Sequence, residues 1–548
     1  MVEIICGIAV GVLILVLAVK FEQRKEIQLS DKTCTILLLI LFAAFAFLIT
    51  YKVTEIPIPY NVDEAGMAYD AKSLANYHVD RYLYHFPVYL VNFGGGQSAL
   101  YAYLTAALIK LFGFSVLIVR LPAILLSLLS ALVFTLTVRR EKGNLASVTA
   151  MAFFCILPFS IMHSRWGLDA YLLFPMMIFS VCAFYHAIQT AKIRWYFLSG
   201  ILFGMTLYAY VISYLIIPVF FGITLIYLLV IKKICWKNII VMGIPLFLFA
   251  LPLMLMLAVN NGMIADVNLP YISIPHLNGF RSGEVGFHNV LTNLKLDDYN
   301  IFYEIFANDH CQYNVNPRFG TIYYLSIPLL IYGLLLCVRG NKACLGLKTM
   351  SLDLLMIMLF IASFSVAFFV ERPNVNRSCV VYIPLIYFLV IGFLEILRKN
   401  RWVTAMAVCC YMLCFGLFIH YYFHDFAKDL EHDYLFARIT DLEEALEFTE
   451  TVYQNDETVY VLGRSNPYIY TILALDVDPY TFDENKVLSY DGYVKQYGKY
   501  RFQLDAVMPE CYYIFRDLND IPEEINDYPE FSNKQFGSVI VYYPNPEH

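Results

Sequence analysis

The chain has 548 residues, 59% of them hydrophobic and only 15% charged, with a mean hydropathy of +0.61. A soluble fold of this length cannot hide so much apolar surface, so the bilayer is its solvent. The net charge of −7 comes with acidic residues gathered after Tyr422 and basic ones in short loops. No basic stripe is left to neutralise phosphates, which excludes nucleic-acid binding.

In chain order, the apolar stretches long enough to span are Ile4 to Val19, Thr33 to Tyr51, Val116 to Val138, Leu145 to Met162, Ala170 to Thr190 and Trp195 to Val211. Tyr214 to Ile231, Ile239 to Val259, Thr321 to Val338, Leu352 to Val370, Cys379 to Leu397 and Val403 to Tyr421 complete the series. Each approaches the ~20 residues that cross a bilayer, giving about twelve transmembrane helices. The first run carries its positive charges after the apolar stretch, so it is read as an anchor helix rather than a cleaved signal peptide.

Alternate loops are basic: Lys20 to Lys32, Arg139/Arg140/Lys142, Lys192/Arg194, Lys232/Lys233/Lys237, Arg339/Lys342/Lys348 and Arg398/Lys399/Arg401. The positive-inside rule makes these cytoplasmic. The long connections, 52–115 and 260–320, and everything from 422 onward then lie outside. Gln97 to Phe112 is apolar, yet counting it as a span would invert every later loop, so it is expected to lie in the outer interface. The expected domains are therefore a membrane part, 1–421, and an extracytoplasmic soluble part, 422–548.

Just beyond the second span stands Asn61-Val62-Asp63-Glu64, followed by Met67, Ala68, Ala71, Leu74 and Ala75 at helical spacing. A helix is expected to start near Asp63, with Asn61 as its N-cap and Glu64 placed for a capping box. Capping and dipole pairing alone would account for both carboxylates. Adjacent carboxylates at a membrane–water boundary also suit acid–base chemistry. Gly94-Gly95-Gly96 lacks the Lys-Ser/Thr of a phosphate loop and reads as a tight turn.

Further motifs follow: Leu111-Phe112-Gly113-Phe114-Ser115, then Arg120-Leu121-Pro122, and Ser164-Arg165-Trp166-Gly167-Leu168-Asp169 between two spans. Asn374-Val375-Asn376-Arg377 comes late, with Pro384 in the following span. Together with Asp63-Glu64 and the helix order from about Thr33 to Leu397, these resemble the GT-C membrane glycosyltransferases, in the protein O-mannosyltransferase and aminoarabinose-transferase branch. The extra first helix departs from the simplest layout of that family. The resemblance implies a polyprenyl-phosphate sugar donor, transfer on the outer membrane face, inversion at the anomeric carbon, and the Asp of the Asp-Glu pair at the catalytic centre. The acceptor is left open among a protein, a glycolipid and an envelope polymer.

The chemistry needs a base for the acceptor hydroxyl, for which Asp63 is the candidate, with Glu64 orienting it or the acceptor. The departing lipid phosphate needs cations, and Arg165, Arg372, Arg377 and Arg120 are the candidates, with snorkelling anchors as their bland alternative. His163 and Asp169 flank Arg165, as acceptor contacts or as ligands, with Asp63, of a divalent metal cation. No cofactor is certain from the sequence. The loop 260–320, with Arg281, Glu284, His288, Asp297, Asp298, Asp309 and His310, is long enough to cover a site.

After Asp425 the chain reads as a small α/β domain, with a helix over Asp441 to Tyr453 and strands at Val459 to Leu462, Tyr512 to Phe515 and Val539 to Tyr543. Most of the 13 cysteines sit in apolar runs as small hydrophobes. Cys311 and Cys511 fall outside them without framework spacing. The expected fold class is thus a polytopic α-helical, GT-C-like membrane protein with a small C-terminal α/β domain. Short Lys-bearing loops are compatible with a bacterial plasma membrane. A transporter or flippase of lipid-linked sugar is the alternative function, and would call for mid-membrane ionisable residues and inverted repeats.

Overall fold

The structure is a computed structural model that describes every residue except 1, 22–27, 278–284, 287, 296–300, 308–313, 345–349, 372, 432–437, 454–456, 464, 490–492 and 546–548. Arg372, Arg281, Glu284, Asp297, Asp298, Asp309, His310 and Cys311 therefore lie outside the described residues.

Among the described residues, nine helices are long and apolar enough to cross a membrane. They are Val2–Lys20, Asp31–Thr50, Val116–Lys142, Ala170–Thr190, Ser213–Val230, Trp236–Asn260, Leu352–Phe369, Val375–Lys399 and Arg401–His424. The other three expected spans appear as shorter apolar helices. Asn144–Ile156 and Pro158–His163 are separated at Leu157, where Pro158 takes the first position of a new helix that its missing N–H suits. Ile193–Leu207 has 15 residues, and Ser326–Cys344 is apolar through Asn341. The chain is a multi-pass membrane protein.

By contacts the chain divides into two compact units. The first comprises Met1–Tyr51, Ala123–Leu251 and Ser282–Tyr421. Its helices pack closely through small residues: a Cβ on Gly333 would collide with the carbonyl of Phe388, and one on Gly392 with that of Leu329. That brings Ser326–Cys344 against Tyr382–Lys399, the close approach that small residues permit between membrane helices.

The second unit comprises Lys52–Pro122, Pro252–Arg281 and Tyr422–His548. Its first segment holds the Val62–Tyr77 helix, a hairpin of Tyr89–Asn92 with Gly95–Ser98, and the Leu100–Phe112 helix. The Leu100–Phe112 helix has 13 residues and reaches about 20 Å, as long as Asn144–Ile156. Of Gly94-Gly95-Gly96, Gly94 lies in the hairpin bend and Gly95 and Gly96 open its second strand. Phe93 and Gly94 both take positive φ, the two-residue turn whose twist suits paired strands.

The C-terminal segment builds a seven-stranded sheet in the order Phe531–Phe536, Val539–Pro544, Tyr512–Phe515, Val459–Leu462, Tyr500–Arg501, Val494–Tyr497, Lys486–Leu488. Val459–Leu462 runs parallel to both of its neighbours, and the other pairs are antiparallel. The two central strands are buried along their whole length, the pattern of a sheet covered on both faces. The helix expected over Asp441 to Tyr453 spans Ile439–Val452.

Candidate active site

The Val62–Tyr77 helix begins where the sequence places it, because the Asn61 side chain accepts from the Asp63 backbone N–H. Nearly all of this helix is buried. Asp63 is the exception in its first turn, exposed between buried Val62 and buried Glu64. An exposed carboxylate at the head of a buried helix is held in place by its backbone yet open to a reactant.

Asp63 is also held by its side chain. Asn92 Nδ2, at the end of the first hairpin strand, donates to Asp63 Oδ1 at 3.1 Å. The Asn92 oxygen accepts from Arg81 Nη2 at 3.1 Å. Arg81 in turn grips Asp70 through Nε at 3.0 Å and Nη2 at 2.7 Å, while its backbone N–H donates to the same carboxylate. Arg81 and Asp70 are both fully buried, and a bidentate fork is the geometry that compensates such burial best. Asp63, Gly66 and Asp70 follow at i, i+3 and i+7, so they share one helix face. A Cβ on Gly66 would stand 2.7 Å from both Arg81 Nη2 and Asn92 Oδ1, so glycine lets this chain of bonds lie against the helix.

Asp80 closes the same corner. Its Oδ1 accepts from the backbone of Tyr82 and Tyr84, and burial, then the neighbouring Asp70 carboxylate, pushes its carboxyl up to about 7.

Glu64 points the opposite way. Its oxygens accept from Arg120 Nε at 2.7 Å and Nη2 at 2.8 Å, and both side chains are fully buried. Arg120 Nη1 also donates to the carbonyls of Val53 and Pro57. The pair thus ties the entry loop, the helix start and the head of the Val116–Lys142 helix together.

The remaining candidates belong to the first unit. Arg165 is fully buried and donates to the carbonyls of Leu48 and Tyr51 at 2.6 and 2.7 Å. These carbonyls end the Asp31–Thr50 helix, which has no further turn to satisfy them. His163 is buried among the rings of Phe159 at 4.7 Å, Tyr171 at 4.3 Å and Phe174 at 5.7 Å. Asp169 Oδ1 accepts from the N–H of Ala170 at the start of the next helix. Arg377 is half-buried in Val375–Ser378 and donates to the Glu371 carbonyl at 2.9 Å. Among the described residues, no three His, Cys, Asp or Glu side chains come together as a metal-holding group.

Sequence reasoning did not single out Asn92, Arg81 or Asp70. Gly66 and Asp70, on the face set by Asp63, were the one local signal; the hairpin partners carry none. It also left the C-terminal domain without a role. Within the second unit that domain adds Tyr468, whose hydroxyl accepts from Arg81 Nη1 at 3.3 Å, and Tyr470, whose hydroxyl donates to the Tyr60 carbonyl at 3.3 Å. Asp63 and Glu64 both act electrostatically on Tyr470.

Residues 97–258 match the family described as dolichyl-phosphate-mannose-protein mannosyltransferase. That stretch includes Arg120, His163, Arg165 and Asp169 and begins after Asp63. No curated protein matches the chain. Among solved structures, ArnT from Cupriavidus metallidurans in the apo state superimposes with a TM-score of 0.54 at 11% identity, over 92% of this chain and 97% of that one. The same enzyme bound to undecaprenyl phosphate gives 0.52 at 11% identity, over 93% and 97%. The Archaeoglobus fulgidus oligosaccharyltransferase in its apo form gives 0.46 at 12% identity, over 81% and 64%. The chain thus shares ArnT's fold over nearly its whole length, and its residues 97–258 are similar to the dolichyl-phosphate-mannose-protein mannosyltransferase family.

Proposed function

We propose that this enzyme moves a sugar from a polyprenyl-phosphate donor to an acceptor hydroxyl, with Asp63 as the base. The observation that carries this is the exposed Asp63 carboxylate on an otherwise buried helix, fixed by Asn92. In the step, the acceptor oxygen bonds to the anomeric carbon while its proton passes to Asp63. The bond from that carbon to the donor phosphate oxygen breaks, and polyprenyl phosphate leaves with the electron pair. One displacement inverts the anomeric centre. The ArnT structure with undecaprenyl phosphate supports a donor of this class.

Glu64 and Arg120 act as positioning residues in this reading, since each engages the other's charge in a buried fork. Arg165 likewise serves the helix end whose carbonyls it satisfies. Arg377, half-buried, and Arg372 are the candidates to hold the donor phosphate. His163 offers a metal a single ring in an aromatic enclosure, and Asp169 caps its helix, so this pair does not fit a divalent cation and no step is routed through one. The alternation of basic loops supports an extracytoplasmic site and C-terminal domain, and their shortness supports a bacterial plasma membrane.

The test is incubation of the purified chain with radiolabelled polyprenyl-phosphate hexoses and pentoses, with envelope extract as the source of acceptor. Free polyprenyl phosphate and a product of inverted anomeric configuration should appear together. Passage of intact donor across vesicles without cleavage would overturn the reading.

A further inference from the structure

A groove of about 620 Å³ opens on the first unit between the helices Val116–Lys142, Ala170–Thr190 and Ile193–Leu207. Its length is apolar, walled by Val133, Leu136, Phe179, Ala183, Leu198 and Leu202. All three helices reach its polar end at their own ends, where Arg140, Glu141, His186 and Trp195 lie. From Phe179 to Gln189 the groove runs about 15 Å at 1.5 Å per residue. That suits one acyl chain entering from the membrane boundary.

The polar end is cationic. Arg140 Nη1 lies 2.7 Å from His186 Nδ1, and the His186 ring meets the Trp195 ring edge-on at 4.4 Å. Lys192 and Arg194, both exposed, are close enough to His186 to act on it electrostatically, as Arg140 does. Against these three fixed cations stands Glu141, beside Tyr185. Asp353, also near Tyr185, is paired with Lys142 at 2.8 Å. The charge left over at the mouth is positive, above an apolar slot in a membrane-embedded surface.

We propose that this groove binds an anionic bilayer phospholipid, with one acyl chain in the slot and the phosphate at Arg140, Lys192 and Arg194. A zwitterionic headgroup brings its own ammonium to the same place and forfeits much of that attraction, whereas an anionic headgroup keeps all of it. The chemistry used by the proposed transfer reaction plays no part here, so this site stands or falls on its own.

The experiment measures lipid binding by native mass spectrometry on the delipidated full-length protein in neutral detergent. The probes are phosphatidylglycerol, phosphatidylcholine and undecaprenyl phosphate, each at equal concentration. One phosphatidylglycerol should be retained at least tenfold more tightly than phosphatidylcholine. The exposed pair Lys192→Glu/Arg194→Glu should abolish that preference while leaving thermal unfolding unchanged. Ala183→Trp, which fills the slot, should also displace the lipid; the charge pair decides the matter if that variant does not fold. Equal retention of phosphatidylcholine, preferential retention of undecaprenyl phosphate, or an unchanged preference in the charge-reversed pair would each overturn the proposal.

Discussion

Two neighbouring carboxylates, one residue apart, meet opposite environments. Asp63 is exposed and accepts from the Asn92 amide, and Glu64 is fully buried with both oxygens on Arg120. Helix geometry turns successive side chains by about 100°, so one can face a reactant while the other faces the core. Removing one partner of a buried pair strands the other's charge, at a cost of about 3–5 kcal/mol. Glu64→Ala should therefore lower the folded yield and the melting temperature sharply, as read by thermal unfolding in detergent. Replacing both Glu64 and Arg120 with Met should recover most of the loss, and a double variant no better than Glu64→Ala would contradict that reading of the pair. The helix start at Asn61–Asp63 was legible because capping is local. The partner of Glu64 was not, because Arg120 lies 56 residues away and only the tertiary fold joins them. Arg165 reads in sequence as a boundary arginine, but the carbonyls of Leu48 and Tyr51 that absorb it are invisible there.

At the scale of elements, the Val62–Tyr77 helix and the Tyr89–Asn92 hairpin work as one piece through Asp63, Asn92, Arg81 and Asp70. Gly66→Ala would push a methyl group against Arg81 and Asn92. Overpacking of this kind costs about 1–3 kcal/mol. The expected outcome is a fall in kcat at nearly unchanged KM for the donor, since Asn92 would lose its place against Asp63; an unchanged kcat would show that the bond to Asn92 is dispensable. Asp80 gives the same corner a pH response. Its carboxyl sits at about 7 when folded, against an ordinary value of 3.8, so the folded state favours the protonated form. Its contribution is fully present below pH 3.8 and is lost as pH rises through 7. Melting temperature should fall over that window more in the wild type than in Asp80→Asn; parallel curves would contradict the assignment. The hairpin itself was only half legible. Three glycines announce a bend, whereas the Tyr89–Asn92 strand is too short to show period-two alternation against a helical reading.

For the whole molecule, apolar runs were enough to foresee the nine long helices found among the described residues, because bilayer thickness imposes their length, whereas three expected spans form shorter helices. The grouping of residues 52–122 with the C-terminal domain was not visible, since it rests on contacts such as Arg81 to Tyr468 and the Lys72–Asp476 ion pair. Those contacts make the C-terminal domain part of the unit that carries Asp63. A chain ending at Tyr421 should accordingly insert in the membrane but expose 52–122 to limited proteolysis and lose transfer. Protection of that segment in the shortened chain would show that it is ordered without the domain.

The central claim is that Asp63 takes the acceptor's proton. Asn at position 63 keeps an oxygen for Asn92 and sits on the surface, where substitutions away from special features shift stability by no more than about 0.5 kcal/mol. The decisive measurement is the rate of polyprenyl phosphate release by Asp63→Asn beside wild type, in one preparation whose melting temperatures match. A fall of about 10²–10⁴, the usual worth of a general base, is the expected result. A rate within a few-fold of wild type would remove Asp63 from the chemistry.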